Sequence, residues 1–280
     1  KEEDELLIAR DRFGKKSVLY YTDGDKFIFA SEMKAMMAFD IPKTIDYTAI
    51  YQYFQLNYVP SPASVFKGVN KLSQGHYLTI KKGIVNIAQY YKIENKGDSK
   101  LSYADAQKEF INLMDQSVQR RLIADVPLGA FLSGGIDSSA VVALASKHTT
   151  QLSTFSIGYK DEPFFDETKY ANLVAKKCKT NHTVFSLTNN DFLLHLYEVL
   201  DYIDEPFADS SCLPTYILCK HTRDKVTVAL SGDGGDEVFA GYNKHAAEYK
   251  MRQQSLLNSL VKNNDWLWKI LPKSRNGKIP

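Results

Sequence analysis

The first part of the chain alternates short apolar runs with turn residues, a pattern typical of β-strands. Strands are predicted at four runs rich in β-branched and aromatic residues, at 16–21, 26–31, 76–82 and 85–91. The sequences TDGD and KKG, which separate the members of each pair, carry the glycine that suits a tight hairpin turn. A short helix is predicted at SEMKAMMAF, ahead of an irregular segment that contains Pro60 and Pro62.

From residue 103 the pattern changes to apolar, strand-length runs that alternate with helical stretches. Phe110, Met114, Val118 and Leu122 recur every four residues and predict an amphipathic helix. Later strands are predicted at 127–132, 152–158, 182–187 and 225–230, and they lack polar alternation. Such strands, separated by helices, indicate βαβ units and a parallel sheet buried on both faces. The fold class is therefore α/β.

A polar, glycine-bearing stretch at 94–102 is predicted to link two domains, one over residues 1–93 and the other over residues 103–280. The chain has 280 residues, and its net charge is only +2. Because nucleic-acid-binding proteins usually carry a strongly basic face, no nucleic-acid partner is expected. No apolar run approaches the roughly 18 residues of a membrane span, so no membrane partner is expected either.

The three cysteines, Cys178, Cys212 and Cys219, are too few for a disulfide framework and favour a reducing, cytoplasmic location. An alternative role for Cys212 and Cys219 is a zinc site that they would form with His221. No fourth ligand is evident in the sequence, and packing in the core is the preferred interpretation.

The stretch FLSGGIDSS at 131–139 places hydroxyl groups and two glycines between a predicted strand and a helix. Gly134 and Gly135 are predicted to adopt positive φ and to let the backbone approach a ligand. Ser138 and Ser139 are predicted to cap the helix, whose first amides attract anions such as phosphate. Asp137 suits such a site only if Mg²⁺ lies between the carboxylate and the phosphate. The spacing matches neither a Walker A loop nor a dinucleotide-binding fingerprint.

A second glycine-rich stretch, SGDGGDE at 231–237, follows the apolar run KVTVAL. It places three carboxylates, Asp233, Asp236 and Glu237, close together, where they repel one another unless a cation lies between them. An EF-hand is excluded, because its ligands span twelve residues. A solvated acidic turn is the alternative, but the position at a strand end favours a metal-binding role.

These motifs together resemble a known family. SGGIDSS resembles the pyrophosphate loop of the ATP pyrophosphatases, and ALSGDGGDEVFAGYNK resembles the second signature of the asparagine synthetase family. RDRFGKKSVLYY, FASEMKAM and QGHYLTI resemble the later part of that family's glutaminase domain. The resemblance implies part of an α+β N-terminal-nucleophile glutaminase sandwich at 1–93. It further implies, at 103–280, a parallel-sheet ATP-pyrophosphatase domain of the adenine nucleotide α-hydrolase type, incomplete at its C-terminus.

The resemblance also implies a reaction, in which ATP adenylates a carboxylate, pyrophosphate leaves, and ammonia from glutamine forms the amide. The implied cofactors are ATP and Mg²⁺. ATP would be bound by Leu132, Ser133, Gly134, Gly135, Asp137, Ser138, Ser139, Ile157, Ser231 and Gly232. Asp137 and Asp236 would hold Mg²⁺. Asp233 is the candidate catalytic residue, at a position where the stricter asparagine synthetases carry Glu.

The expected partners are small molecules: ATP, a carboxylate acceptor and glutamine. Aspartate is the preferred acceptor, although DEPFADSSCLP at 204–214 lacks the Thr and Arg of the stricter asparagine synthetases, which leaves a sugar acid or a peptide as alternatives. A non-catalytic regulatory relative is the hypothesis from another class, and the intact acidic loops argue against it. The resemblance leaves open whether the protein forms a homodimer.

Residue 1 is Lys, whereas the family's glutaminase uses an N-terminal Cys as its nucleophile. The family also has a catalytic lysine in a region that would follow residue 280. We therefore expect the chain to be part of a longer protein, and we expect this stretch alone not to hydrolyse glutamine.

Overall fold

The structure is a computed structural model that describes residues 4–94, 97 and 99–253. Its strands are β1 Glu5–Ala9, β2 Leu19–Thr22, β3 Phe27–Ala30, β4 Val69–Lys71, β5 His76–Lys81, β6 Ile84–Gln89, β7 Leu128–Phe131, β8 Ser153–Tyr159, β9 Asn181–Leu187 and β10 Val228–Leu230. Its helices are α1 Met33–Met37, α2 Tyr47–Leu56, α3 Tyr103–Arg121, α4 Ile136–His148, α5 Thr168–Cys178, α6 Asn189–Tyr202, α7 Cys212–Arg223, α8 Gly235–Phe239 and α9 Asn243–Arg252.

The described residues form two compact units. The first comprises the described residues within 1–116, 157–166 and 184–227, and the second comprises those within 117–156, 167–183 and 228–253. The predicted linker at 94–102 and the end of the predicted second domain lie partly outside the described residues, and the predicted domain boundaries stay a prediction. Within the described part of the chain, no helix combines the length and the apolar character that a bilayer crossing requires.

The first unit contains two small antiparallel sheets, with strand orders β1-β5-β6 and β3-β2-β4. Both predicted hairpins are confirmed: β2 pairs with β3, and β5 pairs with β6. A core cluster forms where α1 packs on the second sheet, and it contains Leu19, Tyr21, Met33, Met36, Ile41 and Val69. The hairpins were predictable because both pairings are local and a glycine-bearing turn fixes each of them.

Helix α2 was not predicted, since its sequence, YTAIYQYFQL, is rich in aromatic residues, which are weak helix formers. The structure shows what starts it. The carboxylate of Asp46 accepts hydrogen bonds from the N–H groups of Thr48 and Ala49, at 2.9 and 3.3 Å, and thereby caps the helix. Ala49 is buried in a small cluster with Val59 and Val65, so packing on one face completes the stabilisation.

The predicted parallel sheet is confirmed, with strand order β10-β7-β8-β9. Strand β7 pairs in parallel with both β10 and β8, through residue pairs such as Ala130 with Leu230 and Ala130 with Thr154. In the second unit a core of small and branched residues forms around this sheet and helices α4 and α5, and it contains Val118, Ala130, Leu132, Val142, Ala145, Leu152, Ala171 and Ala175. The sheet therefore holds the carboxyl ends of β7 and β10 side by side.

Polar groups are also buried on this sheet, although its strands read as apolar. Thr154 and Ser156 on β8 are buried, and His182 on β9 bonds to both hydroxyl groups, through Nδ1 at 2.9 Å and Nε2 at 3.0 Å. Thr154 also shares a hydrogen bond with Thr180 at 2.8 Å. Burial lowers the pKa of the His182 imidazole, so the neutral ring is favoured.

Helices α6 and α7 of the first unit pack together, and Glu198 joins them. Its Oε2 accepts hydrogen bonds from Lys220 at 2.8 Å, from His195 at 2.7 Å and from Tyr216 at 3.1 Å. These donors, above all the Lys220 ammonium group, lower the pKa of Glu198 to about 2. The folded protein therefore favours the ionised form of the Glu198 carboxyl group.

Candidate functional site

The first glycine-rich loop, at 133–139, begins where β7 ends and leads into α4. Leu132 stands at its start, fully buried, and its N–H donates to the carbonyl of Phe155 at 2.8 Å, which continues the pairing of β7 with β8. The loop thus leaves the sheet at the carboxyl end of an interior parallel strand. Domains of this kind bind their ligands at that edge.

Ser138 holds the first loop together through its hydroxyl group. The Oγ atom accepts a hydrogen bond from the Ser133 N–H at 3.3 Å, shares one with Ser133 Oγ at 3.0 Å, and donates one to the Gly135 carbonyl at 3.2 Å. Ser133 Oγ in turn accepts from the Gly135 N–H at 3.2 Å. Because Ser138 is buried, these bonds satisfy a hydroxyl group that has little access to water. The two serines therefore fix the shape of the loop.

The start of α4 differs from the prediction in two respects. Gly134 has a φ of +90°, as predicted, but Gly135 has a φ of −66° and needs no special conformational freedom. Gly135 is also the N-cap residue, and the predicted caps at Ser138 and Ser139 are wrong because both serines lie inside the helix. The Oγ atom of Ser139 is buried and has no hydrogen-bond partner among the described residues. At this end of α4, the Ser139 hydroxyl group and the first-turn amides therefore lack partners within the helix, and a ligand could supply hydrogen-bond acceptors for them.

Gly134 has a second reason to be glycine, which the sequence did not reveal. A Cβ atom at this position would lie 2.6 Å from the backbone nitrogen of Ala171 and 2.6 Å from Cβ of Tyr170. The loop thus packs directly on the first turns of α5, and any larger residue would have to displace that helix. Only tertiary packing brings this segment to the loop.

The second loop, at 231–237, follows β10 and lies against the first. A Cβ atom on Gly232 would lie 2.6 Å from the backbone nitrogen of Ser138, and one on Gly235 would lie 2.5 Å from Cγ of Asp137. Two glycines therefore allow the loops to touch, and the Asp137 carboxylate faces the second loop. Sequence reasoning placed the loops side by side but did not identify Gly235 as the contact.

The carboxylates of the second loop have different neighbours. Asp233 is exposed, and its Oδ2 accepts a hydrogen bond from Ser231 Oγ at 2.9 Å. Glu237 Oε1 accepts one from the Tyr242 hydroxyl group at 2.7 Å, which lowers the pKa of Glu237 and raises the pKa of Tyr242 to about 12. Glu237 is thus engaged with Tyr242, whereas Asp233 stays open to solvent.

The carboxylate of Asp236 lies over Gly241, in the turn between α8 and α9. A Cβ atom on Gly241 would lie 1.9 Å from Asp236 Oδ1, and the Gly241 N–H donates to the Asp236 carbonyl at 3.0 Å. Glycine at this position therefore makes room for the carboxylate. Gly241 was quoted in the family signature, but its role became visible only in the structure.

Ile157 lies on β8, in the part of the strand that belongs to the first unit, and its predicted contact with adenine stays a prediction. Over the described residues, no group of three or more His, Cys, Asp or Glu side chains could enclose a metal ion. A magnesium site at Asp137 and Asp236 would therefore depend on further oxygen ligands from a bound substrate and from water.

The predicted acceptor segment, at 204–214, also lies in the first unit. The carboxylate of Asp209 accepts hydrogen bonds from the N–H and the hydroxyl group of Ser211, at 2.8 and 2.7 Å, and so forms a turn just before α7. Asp204 and Glu205 instead contact residues from the first 93 of the chain. Sequence reasoning missed those contacts.

Comparison with known proteins identifies the family. The model described as asparagine synthase matches residues 109–276, and the model described as glutamine amidotransferase domain matches residues 1–91. The chain belongs to the asparagine synthase family. Both glycine-rich loops lie within the region that the asparagine synthase model matches, and the antiparallel sheets of the first unit lie within the amidotransferase match.

Several asparagine synthase family members resemble the chain over most of its length. A Methanocaldococcus jannaschii protein named provisionally as glutamine-hydrolysing asparagine synthetase 2 is 41% identical over 256 residues, 88% of this chain and 48% of the relative. The Bacillus subtilis glutamine-hydrolysing asparagine synthetase 1 is 32% identical over 280 residues, 99% of this chain and 44% of the relative. Asparagine synthetase 3 of the same bacterium is 33% identical over 256 residues, 85% of this chain and 41% of the relative. The chain thus spans about half the length of the curated relatives it matches.

Proposed function

We propose that the whole protein is an ATP-dependent, amide-forming ligase that adenylates a carboxylate, releases pyrophosphate and uses ammonia from glutamine. The observation that carries the proposal is the contact between the two loops. Asp137 faces Gly235, and Gly232 lies over the first turn of α4, at the joined ends of two parallel strands. A carboxylate beside an anion-binding helix end suits a cation that is shared with a phosphate ligand.

The residues of the first loop fit a bound polyphosphate. The first amides of α4 and the unpartnered Ser139 hydroxyl group offer hydrogen bonds to phosphate oxygens, and the loop shape is already fixed by Ser133 and Ser138. Gly134 and Gly232 carry no side chain, which lets α5 and the second loop pack closely against the first loop. Gly135, the N-cap residue of α4, places no side chain beside the first amides of that helix. Ser231, directly after β10, would contribute to the nucleotide site, and the nucleotide contacts of Leu132 and Ile157 stay predictions.

The carboxylates fit a magnesium ion that is shared with the substrate. Asp137 and Asp236 would supply oxygen ligands, and Mg²⁺ usually takes its remaining ligands from phosphate and water rather than from a complete protein cage. When bound, the ion would offset the negative charge of the leaving pyrophosphate. Asp233, which is exposed and bonded to Ser231, would orient the attacking ammonia or accept a proton from it.

Aspartate is the proposed acceptor, since the relatives named above are asparagine synthetases. Another carboxylate, such as a sugar acid or a peptide, is the alternative, because the acceptor segment of this chain contains Asp209 and Ser211 and has no arginine within 204–214. A cytoplasmic location and dimerisation stay predictions.

Isothermal titration calorimetry of ATP with this chain, with and without Mg²⁺, tests the site. We expect Mg²⁺-dependent binding that Asp137→Asn weakens at least about tenfold, or about 1.4 kcal/mol. Asp125→Asn is the matched control, because that exposed carboxyl group lies outside both loops. Binding that is insensitive to both Mg²⁺ and Asp137→Asn would contradict the proposal, as would a lack of binding to both this chain and the whole protein.

The reaction itself is tested in the whole protein by measuring pyrophosphate release from ATP. We expect release that requires a carboxylate acceptor and is supported by glutamine or by ammonia. A panel of aspartate, sugar acids and short peptides identifies the acceptor. Release with none of these carboxylates present, or no release with any of them, would contradict the ligase assignment.

A further inference from the structure

The first half of the acceptor segment is fixed to the amidotransferase region by three separate contacts. The carboxylate of Asp204 accepts hydrogen bonds from the N–H groups of Met33 and Lys34, at 2.5 and 3.3 Å, at the start of α1. Further along, the N–H of Ala208 donates to the carbonyl of Asn57 at 2.8 Å. All of these residues belong to the first compact unit.

The third contact is an ion pair between Glu205 and Lys71. The Lys71 ammonium group contacts Glu205 Oε1 and also donates to the Val59 carbonyl at 2.7 Å. The two side chains are only 20% and 19% exposed, and Glu205 Oε2 is buried without a hydrogen-bond partner among the described residues. Such a pair is costly to form and more costly to break, because removing one partner leaves an uncompensated charge in a poorly solvated place.

These contacts join regions that match different family models. Met33, Asn57 and Lys71 lie within the amidotransferase match at 1–91, and Asp204, Glu205 and Ala208 lie within the asparagine synthase match at 109–276. Immediately after them come Asp209 and the turn that leads into α7. The contacts therefore fix the first half of the acceptor segment to α1, to the residue after α2 and to β4, directly before the residues proposed to face the acceptor.

We propose that Asp204 and Glu205 are positioning residues that couple the two regions. They bind the acceptor segment to the amidotransferase region, so the position of the segment depends on the position of that region. The use of glutamine and the activation of the acceptor are thereby linked. The coupling rests on the proposed function, whereas the anchoring of the segment does not. Neither residue acts on substrate; both act through the backbone that follows them.

Hydrogen–deuterium exchange on this chain tests the anchoring. Glu205→Gln and Lys71→Met are expected to speed exchange at the N–H groups of Met33 and Ala208, which bond across the same contact. The matched control is Lys81→Met, which removes another Lys–Glu pair, with Glu5 at 3.6 Å, that lies wholly inside the amidotransferase region. Unchanged exchange at Met33 and Ala208 in both variants would overturn the proposal, whether or not the whole protein proves to be a ligase.

The coupling is tested by a charge-reversal cycle in the whole protein: Lys71→Glu, Glu205→Lys and the double variant. Each single change is expected to lower the ratio of glutamine-dependent to ammonia-dependent pyrophosphate release at least about fivefold, within the usual range of coupling between sites. The double variant is expected to recover most of that ratio. A purely structural role would lower both activities together and leave the ratio unchanged, and that result would overturn the coupling. Wild-type protein that releases no pyrophosphate with ammonia would instead refute the proposed function, and the exchange result would still decide the anchoring.

Discussion

The carboxylate of Asp137 lies against Gly235, so closely that a Cβ atom on Gly235 would fall 2.5 to 2.7 Å from its Cγ and oxygen atoms. This contact joins the two loops at the ends of β7 and β10. It also explains two consecutive glycines in SGDGGDE: Gly234 adopts a φ of +96°, whereas Gly235 makes room for Asp137.

Gly235→Ala is therefore expected to displace Asp137 and to weaken Mg²⁺-dependent ATP binding about tenfold, similar to loss of the carboxylate itself. Gly234→Ala is the comparison, since its added Cβ meets no atom within 4 Å although its backbone would be strained. Calorimetry should show the larger loss of affinity for Gly235→Ala, and thermal unfolding should show the larger loss of stability for Gly234→Ala. Equal ATP affinity in the Gly235→Ala variant and the wild type would contradict the role of the contact.

Gly241→Ala is expected to move the Asp236 carboxylate, because the new Cβ would overlap with its Oδ1 atom, 1.9 Å away. Asp236 is a proposed magnesium ligand, so the variant should lose the Mg²⁺-dependent part of ATP binding and keep the Mg²⁺-independent part. Titration at several Mg²⁺ concentrations, alongside Asp236→Asn, measures both parts. The prediction would be contradicted if ATP binding depended on Mg²⁺ in the Gly241→Ala variant but not in the Asp236→Asn variant.

Glu198 is expected to stabilise the packing of α6 on α7 in a pH-dependent way. Its pKa is about 2 in the folded protein and 4.5 ordinarily, so its contribution is complete above pH 4.5 and disappears as the pH falls through about 2. Glu198→Gln should therefore destabilise the protein at pH 7 and have a shrinking effect below pH 4.5, as measured by urea unfolding. Glu248→Gln removes an exposed ion pair with Arg252 and should change little at any pH. A Glu198→Gln effect that is constant from pH 7 to pH 3 would contradict the assignment.

His182 should make the stability of the protein depend on pH in a second range, which lies above the range of Glu198. Burial lowers its pKa below the ordinary value of 6.5, so the unfolded chain takes up a proton before the folded protein does. Stability linked to His182 is therefore complete above pH 6.5 and is lost progressively as the pH falls towards the lowered pKa of the folded state. His182→Gln should be less stable at pH 7.5 and should lack this part of the pH dependence. An identical slope in both proteins between pH 7 and pH 5 would show that His182 does not titrate in this way.

Local patterns predicted most strands of the two hairpins and of the parallel sheet, together with the order of the motifs. The apolar runs at 127–132 and 152–158 became the parallel strands β7 and β8, because strands buried on both faces need no polar alternation. The glycine-bearing turns gave the two hairpins. Reasoning from local pattern failed at α2, which depends on the Asp46 cap and on burial of Ala49, and at Gly135 and Ser138, whose positions at the start of α4 differ from the predicted ones.

By itself, then, the sequence determined the α/β fold class, the two glycine-rich loops at strand ends and the family resemblance, because backbone propensity, turn chemistry and motif spacing are properties of neighbouring residues. Only the tertiary structure decided that Gly235 receives Asp137, that Gly134 packs on α5, and that Asp204 and Glu205 bind residues 171 and 134 positions away. Steric contact and ion pairing depend on distance in space, and folding sets that distance between residues that are far apart along the chain.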